Sequence, residues 1–217
     1  MTPRPGLFIT LDGPSGVGKS TTIGALRREM AGRGVVVHQT AEPSTSVLGA
    51  FTRQNADHIH GLALACLVTA DRYTHIENEI TPALSAGKTV LCDRYIASTL
   101  VLQQLDGVPL KFLLDMNAHV LLPDLAVILT AAPGLIAGRI DERGARHRFH
   151  LDPTIPGREV DLYAETAQTL MAHDVKVLIL DTDHATPSEA ASRIADAILD
   201  LSVASALSPH PTTPQGT

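Results

Sequence analysis

The chain has 217 residues, 44% of them apolar, and a net charge of −6 with histidine counted neutral. That length suits one domain with a full core, and the apolar share excludes a disordered chain. The acidic balance argues against a surface that coats nucleic acid, and no apolar run nears the about 20 residues of a membrane helix.

The N-terminal MTPRPG lacks the apolar core of a signal peptide, so a cytoplasmic protein is expected. Continuous apolar runs at residues 7–11, 35–40, 89–92, 125–130 and 176–180 predict strands of a parallel sheet buried on both faces. Helical stretches alternate with them at 18–30, 62–86, 96–105, 110–121, 133–142, 160–172 and 187–201. Thr186 is the expected N-cap of the last, with Glu189 three residues on. This order predicts a doubly wound α/β fold, with five parallel strands and helices on both faces. Residues 1–201 are expected to form one domain. Residues 143–157, basic and then punctuated by Pro and Gly, predict a short mobile lid, and 202–217 a disordered tail.

Cys66 and Cys92 sit in apolar runs and are expected to be buried reduced thiols. His58-Ile59-His60 and His147-x-x-His150 have pair spacing but no cysteine cluster or third ligand, so surface and lid histidines are expected.

The stretch from Gly13 to Ser20, GPSGVGKS, matches G-x-x-x-x-G-K-[ST] between a predicted strand and a predicted helix. Glycines let successive N–H groups face inward, and a helix N-terminus adds partial positive charge, so an anion is held twice over. Gly13, Ser15, Gly16, Val17, Gly18 and Thr21 are therefore candidate contacts for nucleoside triphosphate phosphates. Lys19 adds a full charge and Ser20 a hydroxyl for Mg²⁺.

The third run ends in Asp93-Arg94-Tyr95. Ligands of open α/β sheets bind beyond the carboxyl ends of strands, so Asp93 falls at the same edge as the loop. A carboxylate there can hold Mg²⁺, and Arg94 can meet an anionic acceptor. Asp12, at the end of the first run, faces the metal or acceptor or shapes the turn. Glu42, before Pro43, is expected near the acceptor.

Together these residues resemble the thymidylate kinase family of P-loop nucleoside monophosphate kinases. The resemblance spans about residues 6–200 and covers GPSGVGKST, Glu42-Pro43-Ser44-Thr45, Gly49 with Arg53, Ala70-Asp71-Arg72 with His75, Asp93-Arg94-Tyr95 with Ser98, Thr99 and Gln103, Pro123-Asp124-Leu125, and Arg143 to His150. It implies the P-loop kinase fold, a homodimer packed through long helices such as 62–86, and transfer of the γ-phosphoryl group of ATP, with Mg²⁺, to a nucleoside monophosphate, dTMP or a related nucleotide. By that resemblance Arg53 and Arg94 hold the acceptor phosphate, and Arg72, Ser98 and Gln103 lie by its base or sugar. Arg139 sits near the donor adenine. Gly16 stands where some members place an arginine, so the catalytic arginine comes from the lid: Arg143, Arg146 or Arg148. An arginine closing over the transferring group is worth about 10³–10⁵ in rate.

Acceptor-side positions depart from the family pattern: Ala41 for an arginine, Ser15 for an acidic residue, Leu67 or Val68 for a stacking aromatic, and Leu102 for a tyrosine. These leave open a kinase acting on a modified nucleotide or small phosphorylated metabolite, a deoxynucleoside kinase with Glu42 as base, and a non-catalytic nucleotide-binding protein.

Overall fold

The computed structural model describes residues 6–143 and 152–207. Strand β1 (Phe8–Asp12) leads through the glycine-rich loop into helix α1 (Lys19–Gly32). Then come β2 (Val37–Ala41), α2 (Val47–Asn55), α3 (Gly61–His75), a π-type turn (Ile76–Ile80) and α4 (Thr81–Ser85). After β3 (Thr89–Asp93) follow α5 (Ile96–Leu105) and α6 (Leu110–Met116); after β4 (Leu125–Thr130), α7 (Pro133–Arg143) and α8 (Ile155–Met171). The chain closes with β5 (Lys176–Asp181) and α9 (Pro187–Leu207).

All five strands are parallel, in the order β2-β3-β1-β4-β5. This is the α/β P-loop kinase fold expected from the sequence. One buried cluster, with Phe8, Val90, Tyr95, Leu100 and Tyr163, packs α3, α5 and α8 on one face of the sheet. The other, with Ile9, Leu26, Met30, Ile136 and Ile194, packs α1, α7 and α9 on the opposite face. The Pro-Asp-Leu segment anchors the start of β1. Asp124 Oδ2 accepts the Phe8 N–H at 2.7 Å, while the Asp124 N–H donates to the Phe8 carbonyl.

Several expectations are corrected. Only the central strands β1, β3 and β4 are buried along their length; β2 and β5 are edges, with Ile179 of β5 exposed. Cys92 is buried but Cys66, on the outer face of α3, is exposed. Residues 202–207 continue α9. Residues 155–157, assigned to the lid, already form the first turn of α8, with Pro156 there. Between β2 and α3 lies α2, where no element was expected. Its start is set by Ser46, whose hydroxyl accepts the Gly49 N–H at 3.0 Å. The Thr186–Glu189 box is present: the Thr186 N–H donates to Glu189 Oε2 at 2.7 Å and the Glu189 N–H to Thr186 Oγ1 at 3.2 Å. None of the described helices is long and apolar enough to cross a membrane.

Candidate active site

Strand register builds the site. Leu11 of β1 and Ala41 of β2 both pair with Asp93 of β3. The Arg94 N–H donates to the Leu11 carbonyl and the Glu42 N–H to the Asp93 carbonyl. Three strand ends thus stop at one level and bring Asp12, Glu42 and Asp93 to one edge, beside the loop that follows β1.

That loop is shaped for close approach. Gly13 has φ 143°, and a Cβ there would lie 2.4 Å from the Leu129 carbonyl oxygen, so no side chain fits. Gly16 and Gly18 also take positive φ. Ser15, Gly16 and Val17 carry the chain to α1, whose first turn holds Lys19 with Ser20 and Thr21 exposed. Lys19 is buried, and its ammonium donates to the Gly13 and Pro14 carbonyls, each at 2.8 Å. Burial, reinforced by the neighbouring Arg94 charge, lowers its pKa to about 7, against the opposing pull of Asp93, Glu159 and Asp12.

The carboxylates divide their work. Asp12 is fully buried. Its Oδ1 accepts the N–H groups of Tyr95 (3.0 Å) and Ser98 (2.9 Å) and the Ser98 hydroxyl (2.7 Å), which fixes the start of α5. Its Oδ2 and the Oδ1 of Asp93 are buried without a hydrogen-bond partner. Burial pushes the Asp93 carboxyl above its ordinary pKa, and Lys19 and Arg94 pull it partly back. Unpaired carboxylate oxygens beside a buried lysine and a glycine cradle fit a bound polyphosphate with a hard cation, which takes oxygen ligands.

Next to the loop lies a cavity of about 320 Å³. Ser15, Arg53, Arg94, Ser98 and Glu159 line it with polar groups, and Ala56, Leu64, Val68 and Leu102 with aliphatic ones. Arg94 takes a positive φ of 67°, and its Nη1 donates to Ser98 Oγ at 3.2 Å. Burial draws the Arg94 pKa down, but Tyr163, Asp93 and Glu159 outweigh it and raise it, so the guanidinium is a fixed cation. Arg53 lines the cavity while its Nη2 donates to the Pro43 carbonyl and, at 3.3 Å, to that of Ser44. Gln103 also lines it.

Glu42 and Arg72 form the cavity's buried framework. Arg72 donates to Glu42 Oε2 from Nε (2.9 Å) and Nη2 (2.6 Å), from Nη1 to Asn117 Oδ1 (2.7 Å), and from Nη2 to Thr99 Oγ1 (2.7 Å). Its guanidinium also lies 4.8 Å from the Tyr95 ring centre. These partners hold Arg72 as a structural strut along the wall. Asp71, next in the chain, accepts the Ser44 N–H and hydroxyl, both at 2.6 Å, tying the segment after β2 to α3. Gly49 completes that joint, since a Cβ there would lie 2.3 Å from the Ser44 carbonyl oxygen.

Arg139 lines a second cavity of about 170 Å³ beside Gly16, Gly18, Thr182 and Ala185, on the other flank of the loop. Arg143 ends α7, while Arg146, Arg148, His147 and His150 lie outside the described residues. His58 and His60 are exposed. Sequence reading missed Glu159. It is 2% exposed and comes from α8, distant in the chain from every other wall of the cavity, so no local motif marks it. The hydroxyl of Tyr163, one turn on, lies 3.0 Å from Ser98 Oγ.

A family model described as thymidylate kinase matches residues 11–194. The chain is 41% identical over 156 residues to a thymidylate kinase of Leifsonia xyli subsp. xyli, covering 68% of this chain and 70% of that one. It is 36% identical over 147 residues to a probable thymidylate kinase of Caldivirga maquilingensis, covering 66% and 72%. With one of Pyrococcus horikoshii it shares 37% over 152 residues, covering 66% and 74%. The chain therefore belongs to the thymidylate kinase family and is a nucleoside monophosphate kinase, a phosphotransferase that uses ATP and Mg²⁺.

Proposed function

We propose that this protein transfers the γ-phosphoryl group of ATP to dTMP, giving dTDP and ADP. One observation carries the reading: a cavity lined by Arg53 and Arg94 opens beside the glycine cradle and its lysine, so a donor and an anionic acceptor can meet at one sheet edge. The names of the relatives favour dTMP over a deoxynucleoside, a modified nucleotide or another phosphorylated metabolite, and favour catalysis over nucleotide binding alone.

In this reading the backbone from Gly13 to Gly18, with Ser15, Gly16 and Val17 between, wraps the donor phosphates, and Thr21 supports the first turn of α1. Lys19 neutralises the β- and γ-phosphates. Ser20 and Asp93 hold Mg²⁺, which supplies charge neutralisation when bound, and Asp12 keeps α5 and Arg94 in register. Arg139 borders the donor base. Arg53 and Arg94 grip the acceptor phosphate, an oxygen of which attacks the γ-phosphorus as the bond to the ADP oxygen breaks. That oxygen is already anionic, so Glu42 need not act as a base, and its engagement with Arg72 agrees with this. Arg143, Arg146 and Arg148 are the candidates to cover the transferring group. The site is tested by offering dTMP and thymidine in parallel with MgATP. Phosphorylation of dTMP far above thymidine supports the reading, and the reverse preference contradicts it.

The protein also acts, in this reading, as a cytoplasmic homodimer. Leu62, Ala63, Cys66 and Ala70 expose one face of α3, which a second copy can cover. Sedimentation equilibrium is expected to give twice 23.0 kDa; a single 23.0 kDa species at micromolar concentration contradicts the dimer.

A further inference from the structure

Side chains between a sheet and a helix are mostly apolar, yet two polar stripes meet beside the Glu42–Arg72 strut. His38, Thr40 and Glu42 stand at alternate positions along β2 and its end, so they share one face. Arg72, His75 and Glu79 follow at spacings of three and four, on one side of α3 and of the π-type turn, a rare widening of a helix. The stripes interlock. His75 Nδ1 lies 3.3 Å from Glu42 Oε1, and its Nε2 lies 2.7 Å from Thr40 Oγ1 and 3.5 Å from Glu79 Oε2. Glu79 Oε1 is in turn 3.0 Å from His38 Nε2. The His75 side chain is fully buried, while those of Glu79 and His38 are 31% and 29% exposed. A continuous polar path thus joins solvent at the edge strand to Glu42 and Arg72 in the wall of the larger cavity.

A carboxylate only accepts, so the Nδ1 facing Glu42 carries a proton. On the ring's other side, the Thr40 hydroxyl has two acceptors within reach, His75 Nε2 and the Glu79 carboxylate. Burial pushes the Glu79 carboxyl up. Hydrogen bonds from Thr40 and His38, with the charges of His75 and His38, outweigh it and hold its pKa below the ordinary value. Two further groups face this cluster. Arg72, on the same helix as His75, is held by Glu42, and Cys92 of β3 pairs in register with Thr40. Burial pushes the Cys92 thiol well above its ordinary pKa, so it stays neutral.

We infer that His75 is a positioning residue that couples one proton to acceptor binding through Glu42. In the neutral state Nδ1–H donates to Glu42, and the Thr40 hydroxyl donates to Nε2. A proton reaching Glu79 from solvent passes to Thr40 Oγ1 as the Thr40 proton moves to Nε2. Glu79 is left as a carboxylate that accepts from Thr40, and the ring as an imidazolium that donates to Glu42 and Thr40. The step puts one positive charge behind Glu42, on the wall that faces an anionic acceptor. An anion there favours the charged ring, so acceptor binding takes up a proton. By reciprocity the protonated protein binds the acceptor more tightly, and the acceptor KM rises with pH as the ring loses its proton. The coupling goes beyond the proposed transfer to dTMP, and its kinetic readout rests on that reading.

Long-range proton–nitrogen NMR of the His75 ring in the full chain tests this from about pH 5.5 to 8.5, with and without saturating dTMP. The ring should be doubly protonated at the acid end and carry its proton on Nδ1 alone at the alkaline end. Saturating dTMP should move the changeover up by about 0.7 pH unit, the shift that a fivefold coupling gives. In steady state, the wild-type KM for dTMP should rise between about pH 6.5 and 8.5 about fivefold more than that of His75→Gln, with kcat changing alike in both. Glu79→Gln, at the half-exposed end of the path, should move that rise to lower pH, and it decides the kinetic arm if H75Q does not fold. A ring protonated on Nε2 alone at the alkaline end overturns the inference, as do KM profiles that run parallel in wild type and variants. A changeover that dTMP leaves in place while dTMP is phosphorylated overturns the inference and leaves the transfer standing. A changeover that dTMP moves without being phosphorylated supports the coupling and overturns the transfer.

Discussion

Glu42→Ala is expected to destabilise the protein by about 3–5 kcal/mol, because it leaves the Arg72 guanidinium charged and buried without its carboxylate. The Arg72 and Glu42 side chains are 1% and 4% exposed, and two of the Arg72 N–H groups end on Glu42 Oε2. Burial works against the Arg72 charge, and Glu42, with Tyr95 and Asp12, outweighs it, so the arginine pKa is raised and it cannot escape by losing its proton. Asn117 and Thr99 would still accept from it, but neither carries charge. In a domain of this size each kcal/mol moves the melting point by about 2–4 °C, so a fall on the order of 10 °C is expected. The double variant Glu42→Ala/Arg72→Met should recover most of the loss, since apolar replacement of a buried pair is often neutral or stabilising. Chemical denaturation of the single and double variants decides it. A loss in E42A of under about 1 kcal/mol would remove the strut from the account.

Lys19→Met should lower turnover by at least about 10²–10³-fold, the scale seen when one fixed donor to a developing charge is removed. The same lysine predicts a proton linkage. Its pKa in the free protein lies near 7, pushed down chiefly by burial and then by Arg94. Triphosphate oxygens favour the charged form and return the proton. At about pH 8, ATP binding should therefore take up close to one proton, and at about pH 6 close to none. Calorimetry in two buffers of different ionisation enthalpy reads this directly, and K19M should abolish the uptake. The stability sign follows from the same shift. The folded pKa lies below the unfolded 10.5, so the unfolded chain binds more protons between about 7 and 10.5. The penalty of burying Lys19 is thus full below pH 7 and fades as pH rises through that window. Equal proton uptake in K19M and wild type would contradict the assignment to Lys19.

Much of this site is legible in the sequence because its constraints are local. The run from Phe8 to Ser20 must be a strand, a glycine turn and a helix start for the lysine to reach its place, and the spacing says so. Asp93 ends a strand and Arg94 follows it, and strand ends share an edge in a parallel sheet. What escaped depends on pairing across the chain. The buried framework that fixes Arg72 is built by Glu42, Thr99 and Asn117 from three other segments, and no local spacing shows it. Glu159 and Thr52 carry no motif and reach the cavity only through the packing of α8 and α2. α2 has nine residues with Gly49 inside it, a weak helix signal whose support is the joint between Ser44, Ser46 and Asp71. Cys66 sits in an apolar run, but α3 turns Leu64 and Ala65 of that run into the core and leaves Cys66 exposed.

The central claim is the transfer itself, and nucleotide chromatography of a reaction holding dTMP, ATP and Mg²⁺ tests it most directly. Expected is the disappearance of dTMP and ATP with the appearance of dTDP and ADP in a one-to-one ratio, at a micromolar KM for dTMP. ADP formed without dTDP, or ATP bound and left intact in the presence of dTMP, would contradict the account.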